Sequence, residues 1–398
     1  MDKIDELLTR GVDTIYPSKE ELEKVLRSGK KIRIYQGFDP TGTQLHIGHA
    51  VALMKLRNFQ ELGHKVIFLI GDFTAMIGDP SGKIKGARKM ISREEVLKNA
   101  ETYEAQASRI LRFSGKNKVK VKFNSQWLGK MSAIEFLRMS DYLTFAQIIK
   151  RDLFRKREQE GQDIYANEFM YPILQGYDSV AMDVDAEIGG TDQMFNMLVG
   201  RDLLKRMKKK EKFVITVPLL TDTQGNKIGK SEGNVIGITD KPEDLYGKIM
   251  SLPDSAIVPC FELITDLPMS EVKTIKGELE KNSVNPMDYK KKLAHQIVEQ
   301  YNNSTIADSA QRIFEQNYQE GKKDVSAKGV YIKEPLKLHE SLFKNLFVSS
   351  ASVAKQLIRQ GGVRINGERI ENISFVYEPK DDDIIEIGKH KVFRVKSK

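Results

Sequence analysis

At 398 residues the chain is long for a single hydrophobic core, and two or three domains are expected. Its 40% hydrophobic and 30% charged residues are ordinary for a globular protein, no apolar run reaches membrane-helix length, and MDKIDELLTR lacks a signal peptide's apolar centre. The single cysteine, Cys260, excludes an internal disulfide framework and points to a reducing cytoplasm, while the net charge of +9 points to a polyanionic partner.

From Lys31 short apolar runs alternate with amphipathic segments. KIRIYQGFD reads as a strand and IGHAVALMKLRNFQELGH as a helix ended by Gly63. KVIFLIGD is a buried strand, SREEVLKNAETYEAQASRIL a capped helix and KVKVKF another strand. VDAEIGG, QMFNMLVGRDLLKRMKKK and FVITVPLL continue as strand, helix and strand. The alternation predicts an α/β domain over residues 1–221, a parallel sheet with helices on both faces. Residues 222–320 read as successive helices without a strand between them, and a polar linker is expected over 321–334. Residues 335–398 form a small α+β domain: SSASVAKQLIRQ is a helix, a Gly-Gly turn leads into a strand, Asn366-Gly367 signals a hairpin, and DDDIIEIGKHKVFRVKSK a final strand pair. This last segment carries 12 Lys and Arg against 8 Asp and Glu.

Two of only six histidines, His46 and His49, stand in DPTGTQLHIGHA, where a strand ends and a helix begins. No acidic or cysteine partner has ligand spacing, so no metal site is expected. No G-x-S-x-G elbow is present, so no nucleophile is expected either. Helix-start N–H groups favour anions, Gly48 between the histidines allows close approach, and imidazole donors suit a phosphate whose charge grows during reaction. A second basic loop, GNKIGKSEGN, sets Lys227, Lys230 and Ser231 among glycines between the last strand and the helical block.

Together HIGH at 46–49 and KIGKS at 227–231 resemble the paired signatures of class I aminoacyl-tRNA synthetases, the second as a variant of KMSKS. The resemblance implies a Rossmann-type catalytic domain in which the histidines hold ATP phosphates while an amino acid attacks the α-phosphate. In NEFMYPILQGYDSVAMDV, Tyr171, Gln175 and Asp178 fall on one helical face. Apolar neighbours make that a cleft-facing stripe rather than a solvated one. Such buried polar groups need partners that a ligand can supply.

From about Tyr16 onward the chain resembles the bacterial tyrosyl-tRNA synthetases, through YQGFDPTG, LHIGH, IGDPSGK, YPILQGYDS, GGTDQ and KIGKS. The resemblance implies that Tyr35 and Asp178 bind the substrate hydroxyl. Asp79, Tyr171 and Gln175 then bind its amino group, with Asn124 and Gln193 nearby. Gly37, Asp39, Gly48, Gly190, Asp192 and Lys230 would bind ATP, Asp192 at the ribose with Gly190 allowing close approach. Thr41, His46, His49, Lys227, Lys230 and Ser231 would stabilise the pyrophosphate side of the transition state, with Lys83 and Arg88 as further phosphate contacts.

Gln36 and Ile228 depart from the family pattern, and the Lys83–Arg88 spacing differs by one. SSASVAKQLIRQGGVRINGERI resembles an RNA-binding module shared with a ribosomal protein, which implies tRNA contacts by Lys355, Arg359, Arg364 and Arg369. Also implied are ATP with Mg²⁺ as substrate, no tightly bound cofactor, tRNA(Tyr) and L-tyrosine as partners, and a cytoplasmic homodimer using QWLGKMSAIEFLRMSDYLTFAQIIKRD as a partner-facing stretch. The tryptophanyl enzymes are the nearest alternative; Tyr35, the polar stripe and the tail favour tyrosine. A tRNA-free nucleotidyltransferase and an RNA-binding regulator with an inactive core are the others.

Overall fold

The structure, a computed structural model, describes residues 2–396 apart from 81–90, 143, 145–146, 148–151, 223–224, 226, 229, 232–233, 319–327, 333, 346, 349 and 389–390. The chain forms two compact units, Met1–Gln311 and Arg312–Lys398.

The first unit is built on six strands, β1 (Thr14–Tyr16), β2 (Arg33–Phe38), β3 (Lys65–Ile70), β4 (Lys120–Phe123), β5 (Ala186–Gly190) and β6 (Phe213–Val217), in the order β1-β6-β5-β2-β3-β4. Five run parallel, as the alternating pattern predicts, and β1 pairs antiparallel with β6 at the edge. Three residues are too few to show a period, so this edge strand carried no signal in the sequence. The chain proceeds outward from β2 to β4, then returns to β5 on the other side of β2. The crevice between the C-terminal ends of β2 and β5 is therefore the topological switch point, where open α/β sheets bind ligands.

The two faces of β2 have different covers. Phe38 meets the His49 ring of helix α1 (Ile47–Glu61), centroids 6.1 Å apart. Tyr35, one strand face away, bonds Ser179 of helix α2 (Ala166–Met182). Helix α1 stops where expected, with Gly63 at φ +84°. Helix α3 (Met194–Lys208) packs along α2 through Gly176 and Gly200, which bring the two backbones into contact. The segment from Ser92 is one helix in the sequence reading but two in the structure, Arg93–Ala100 and Tyr103–Ala107.

Beyond the ribbon of β7 (Lys230–Ser231) and β8 (Asn234–Val235), helices Pro242–Met250, Ile257–Ile264, Met269–Glu280 and Pro286–Tyr301 follow one another. They belong to the first unit: Ile257–Ile264 packs on α1, and Gln300 Nε2 donates to Ile264 O at 3.2 Å. No helix among the described residues is long and apolar enough to cross a membrane.

The second unit has its own core of Leu338, Leu342, Phe347, Ala354, Ile358, Val363, Ile385 and Val395. Helix Ala351–Arg359 leads to strand Val363–Ile365, and Asn366 (φ 50°) and Gly367 (φ +84°) make the hairpin turn to Glu368–Arg369. Strands Ile384–Ile387 and Lys391–Lys396 are the expected final pair. Residues Lys328–Tyr331, inside the stretch read as linker, form a strand that pairs parallel with Lys391–Lys396.

Candidate active site

A cavity of about 350 Å³ opens at the switch point. Tyr35, Gly37, Asp39, Thr41, His46, Gly48, His49, Asp79, Tyr171, Gln175, Asp178, Gly190, Asp192, Gln193 and Lys227 all line it, so segments almost two hundred residues apart converge on one crevice. Lys83 and Arg88 lie outside the described residues, as do the side chains of Lys230 and Ser231.

At one end stand the histidines. His46 caps α1, and its Nδ1 accepts the Gly48 N–H at 3.1 Å; His49 Nδ1 accepts the His46 N–H at 3.1 Å. With both Nδ1 atoms occupied as acceptors, each neutral ring carries its proton on Nε2 and keeps that N–H as a donor. The rings lie 3.9 Å apart between centroids. Gly48 has a different duty from the one its position suggests. A Cβ there would stand 2.9 Å from the His46 ring, so glycine makes room for the histidine rather than for a ligand.

The lysine loop is tied to this helix start by the backbone. Ile47 N donates to Ile236 O at 3.0 Å and Ile238 N to Leu45 O at 2.9 Å. Ile228 is buried and its N–H bonds Leu220 O at 2.8 Å, so the departure from the family pattern acts as an apolar anchor. Lys227 extends from the loop to Asp192, 3.4 Å away. A Cβ on Gly190 would lie 2.7 Å from Asp192 Oδ1, so this glycine also clears space for a neighbouring side chain.

The other end is anionic. Tyr171 Oη donates to Asp39 Oδ2 at 2.7 Å, Thr74 Oγ1 to Asp39 Oδ1 at 2.7 Å, and Gln193 Nε2 to Asp79 Oδ2 at 2.5 Å. Burial, then the Asp39 charge, push the Tyr171 phenol well up, so it stays a neutral hydroxyl. Its remaining lone pairs, with Asp79 and Gln175, suit a ligand ammonium. Asp39, expected among the ATP contacts, is engaged with this end through Tyr171.

Deeper in, Asp178 Oδ1 accepts from Trp127 Nε1 at 2.7 Å and Oδ2 from Asn124 Nδ2 at 3.3 Å. Burial raises its pKa well above the usual carboxylate value, and the Trp127 and Asn124 bonds oppose that rise. Asn124 Nδ2 also donates to Thr74 Oγ1 at 3.0 Å, which connects it through Asp39 to Tyr171. It lies fully buried behind Asp178, also holding the Phe73 N–H at 2.8 Å.

Sequence reasoning missed several supports. Tyr103 Oη bonds Gly42 O, Gln106 bonds Leu45 N and Thr43 O, and Asn99 bonds Pro40 O, together fixing the loop before His46. Trp127 and Ser179 were also missed, as were Glu187 and Lys212. The one visible clue was Glu187, a charged residue inside the apolar strand AEIGG. Gln36 lines the cavity with its Oε1 buried and without a hydrogen-bond partner among the described residues. Among the described residues no group of three or more His, Cys, Asp or Glu is placed to hold a metal ion.

In the second unit Lys355 and Arg359 share the exposed face of helix Ala351–Arg359. Arg364 and Arg369 face each other across the hairpin of Val363–Ile365 and Glu368–Arg369, both exposed, with Arg369 Nε 3.0 Å from Glu371. The four cations thus occupy adjoining segments of that unit's surface.

A switch-point crevice with a histidine pair at a helix start, bound through backbone to a lysine loop, defines a class I aminoacyl-tRNA synthetase. The family model described as "tRNA synthetases class I (W and Y)" matches residues 27–319, and that of the S4 domain matches 336–383. The chain is 42% identical to the tyrosine–tRNA ligase of Carboxydothermus hydrogenoformans over 98% of this chain and 97% of that one. It is 42% identical to that of Haemophilus influenzae over 98% and 96%. The truncated mitochondrial tyrosyl-tRNA synthetase structure of Coccidioides posadasii covers 79% of this chain and 92% of its own, at 26% identity and TM-score 0.63. That of Aspergillus nidulans, at 23% identity, shares the fold with TM-score 0.66 over 79% and 94%. The chain belongs to the tyrosine–tRNA ligase family of class I aminoacyl-tRNA synthetases.

Proposed function

We propose that the switch-point cavity is where this chain, a tyrosine–tRNA ligase by family, joins L-tyrosine to ATP. The tyrosine carboxylate attacks the α-phosphorus, the bond to the β-phosphate's bridging oxygen breaks, and pyrophosphate leaves with the electron pair. No proton need move in this step, so no general base is required. The tyrosyl group then passes to the 3′ end of tRNA(Tyr), releasing AMP.

Tyr35 and Asp178 take the phenol, Asp79, Tyr171 and Gln175 the ammonium, with Gln193 holding Asp79 and Asn124 holding Asp178. His46, His49, Thr41, Lys227, Lys230, Ser231, Lys83 and Arg88 serve the phosphates, whose charge grows as pyrophosphate departs. Gly37, Gly48, Gly190 and Asp192 shape the nucleotide end, Asp39 joins it to the ammonium end through Tyr171, and the Gln36 Oε1, without a hydrogen-bond partner among the described residues, suits a ribose hydroxyl. Mg²⁺ enters with ATP as part of the substrate, held by phosphates rather than by a protein cage. Residues 1–221 carry the chemistry, 222–320 the lysine loop and anticodon-side helices, and 335–398 bind tRNA through Lys355, Arg359, Arg364 and Arg369, with 321–334 between them. The working form is a cytoplasmic homodimer.

The observation that carries this reading is the convergence of two Nε2–H donors and the lysine loop on the same crevice as the anionic pocket. Incubation with labelled tyrosine, ATP, Mg²⁺ and tRNA should yield tyrosyl-tRNA, with adenylate accumulating when tRNA is left out. Adenylate that forms without subsequent charging would confine the reading to an amino-acid adenylating enzyme.

A further inference from the structure

Below the tyrosine pocket lies a buried ion pair that the chemistry above does not use. Lys212, at 0% exposure, contacts the Glu187 carboxylate, and its Nζ donates to Ser179 Oγ at 2.8 Å. The sheet register sets Glu187 directly beside Tyr35, on neighbouring parallel strands β5 and β2. Ser179 of α2 reaches down between them, with Tyr35 Oη 2.8 Å from its Oγ.

The directions of these bonds follow from the cation. An ammonium only donates, so Ser179 Oγ accepts from Lys212 and must give its own hydrogen elsewhere. Two acceptors are available, Tyr35 Oη at 2.8 Å and Glu187 Oε2 at 3.4 Å. The shorter contact has the geometry of a good O–H···O bond, and the Glu187 oxygen already receives Lys212. Tyr35 Oη therefore accepts from Ser179 and has its own O–H left to give, to Glu187 beside it or, when a ligand hydroxyl is present, into the cavity. Across that cavity waits Asp178, its carboxylate fixed from behind by Trp127 and Asn124.

We propose that Lys212 is a specificity-determining, positioning residue: through Ser179 it orients the Tyr35 hydroxyl as a donor, so that a ligand hydroxyl completes a one-way hydrogen-bond chain from the buried ammonium to Asp178. The proposal rests on the tyrosine-binding reading of the cavity. In such a chain each bond polarises the next, which strengthens the whole in a low-dielectric interior. A ligand without the hydroxyl takes away the acceptor of the Tyr35 O–H and leaves Asp178 with only its Trp127 and Asn124 donors, which is how a buried polar site rejects it. Burial, with Glu187 next, keeps the Tyr35 phenol protonated and able to donate.

The test compares kcat/KM for tyrosine and for phenylalanine, in adenylate formation, across Ser179→Ala, the double variant Lys212→Met/Glu187→Gln, and Tyr35→Phe. The double change removes both charges together, because Lys212→Met alone would strand a buried carboxylate. The tyrosine-to-phenylalanine ratio should fall ~10-fold or more in both Ser179→Ala and the double variant, the scale of one lost buried hydrogen bond. The loss should lie in the tyrosine arm, with KM for ATP unmoved. A folded Ser179→Ala enzyme that keeps the wild-type ratio overturns the proposal, whatever its melting temperature, and decides the matter even where the double variant does not fold. If Tyr35→Phe lowers the ratio while Ser179→Ala does not, only this proposal fails. A wild-type enzyme with no preference for tyrosine fails the underlying reading, and the proposal with it.

Discussion

His49 concentrates the residue-scale account: its Nδ1 is occupied by backbone, so its chemistry is confined to Nε2. Replacing it with Asn should slow adenylate formation by ~10²-fold or more, the typical cost of one lost transition-state donor. Tyrosine affinity should stay constant, because the anionic pocket lies at the other end of the cavity. Single-turnover rates with a separate tyrosine titration read both quantities; weakened tyrosine binding at an unchanged rate would put His49 in the wrong role. His64 tests folding rather than chemistry. It is buried, its Nδ1 accepts the Ile32 N–H at 3.3 Å, and burial followed by Lys31 lowers its pKa from 6.5 to about 4. Between pH 6.5 and 4 the unfolded chain binds the proton and the folded one does not. This contribution is therefore complete above pH 6.5 and is lost as pH falls toward 4. Denaturant unfolding over that window should show less pH dependence in His64→Asn, which keeps an acceptor near Nδ1 but cannot titrate; an unaltered profile would remove His64 as a cause.

Between elements, the tightest constraint is the crossing of α2 and α3. A Cβ on Gly200 would meet Lys212 Nζ at 2.7 Å, Ser179 Oγ at 2.9 Å and Gly176 Cα at 3.2 Å. Gly200→Ala should then cost ~1–3 kcal/mol in overpacking and disturb tyrosine selection through Ser179. Chemical denaturation alongside kcat/KM for tyrosine would check this, and a variant as stable and selective as wild type would contradict the packing described. This crossing also marks the limit of what the sequence reveals. Strands β2 to β6 and helices α1 to α3 were legible because each repeats an apolar period over several residues. The motif residues were legible because HIGH, GGTDQ and KIGKS are local. Lys212 was not, since it reads as the end of the charge run KKKEK. Only the pairing of β6 with β5 and of β5 with β2 puts it under Tyr35. Likewise Gly48 and Gly190 looked like ligand clearances, yet their neighbours are the His46 ring and Asp192, contacts that need tertiary coordinates to see.

At the scale of the molecule the chain divides into two compact units, and the proposed function gives adenylate formation to the first and tRNA capture to the second. Because Lys328–Tyr331 pairs with Lys391–Lys396, a truncation that spares it would leave an unpartnered strand, so the clean cut removes residues 328–398. That enzyme should form adenylate at close to the wild-type rate while charging tRNA poorly. Changing Lys355, Arg359, Arg364 and Arg369 together to Ala in the full chain should weaken tRNA binding and flatten its salt dependence, since fewer counterions are displaced. Filter binding across a salt series would show it. Full charging by the truncated enzyme would contradict an RNA role for the tail.

The central claim is that this cavity selects a phenol. Amino-acid-dependent ATP–pyrophosphate exchange, run with each of the twenty amino acids, tests it most directly. Tyrosine alone should support rapid exchange, and phenylalanine should be rejected by about 10⁴–10⁵-fold, a scale supplied by this enzyme class itself for a hydroxyl-reading site. Exchange with tryptophan or phenylalanine at a rate comparable to tyrosine would contradict the assignment of Tyr35 and Asp178 and the account built on it.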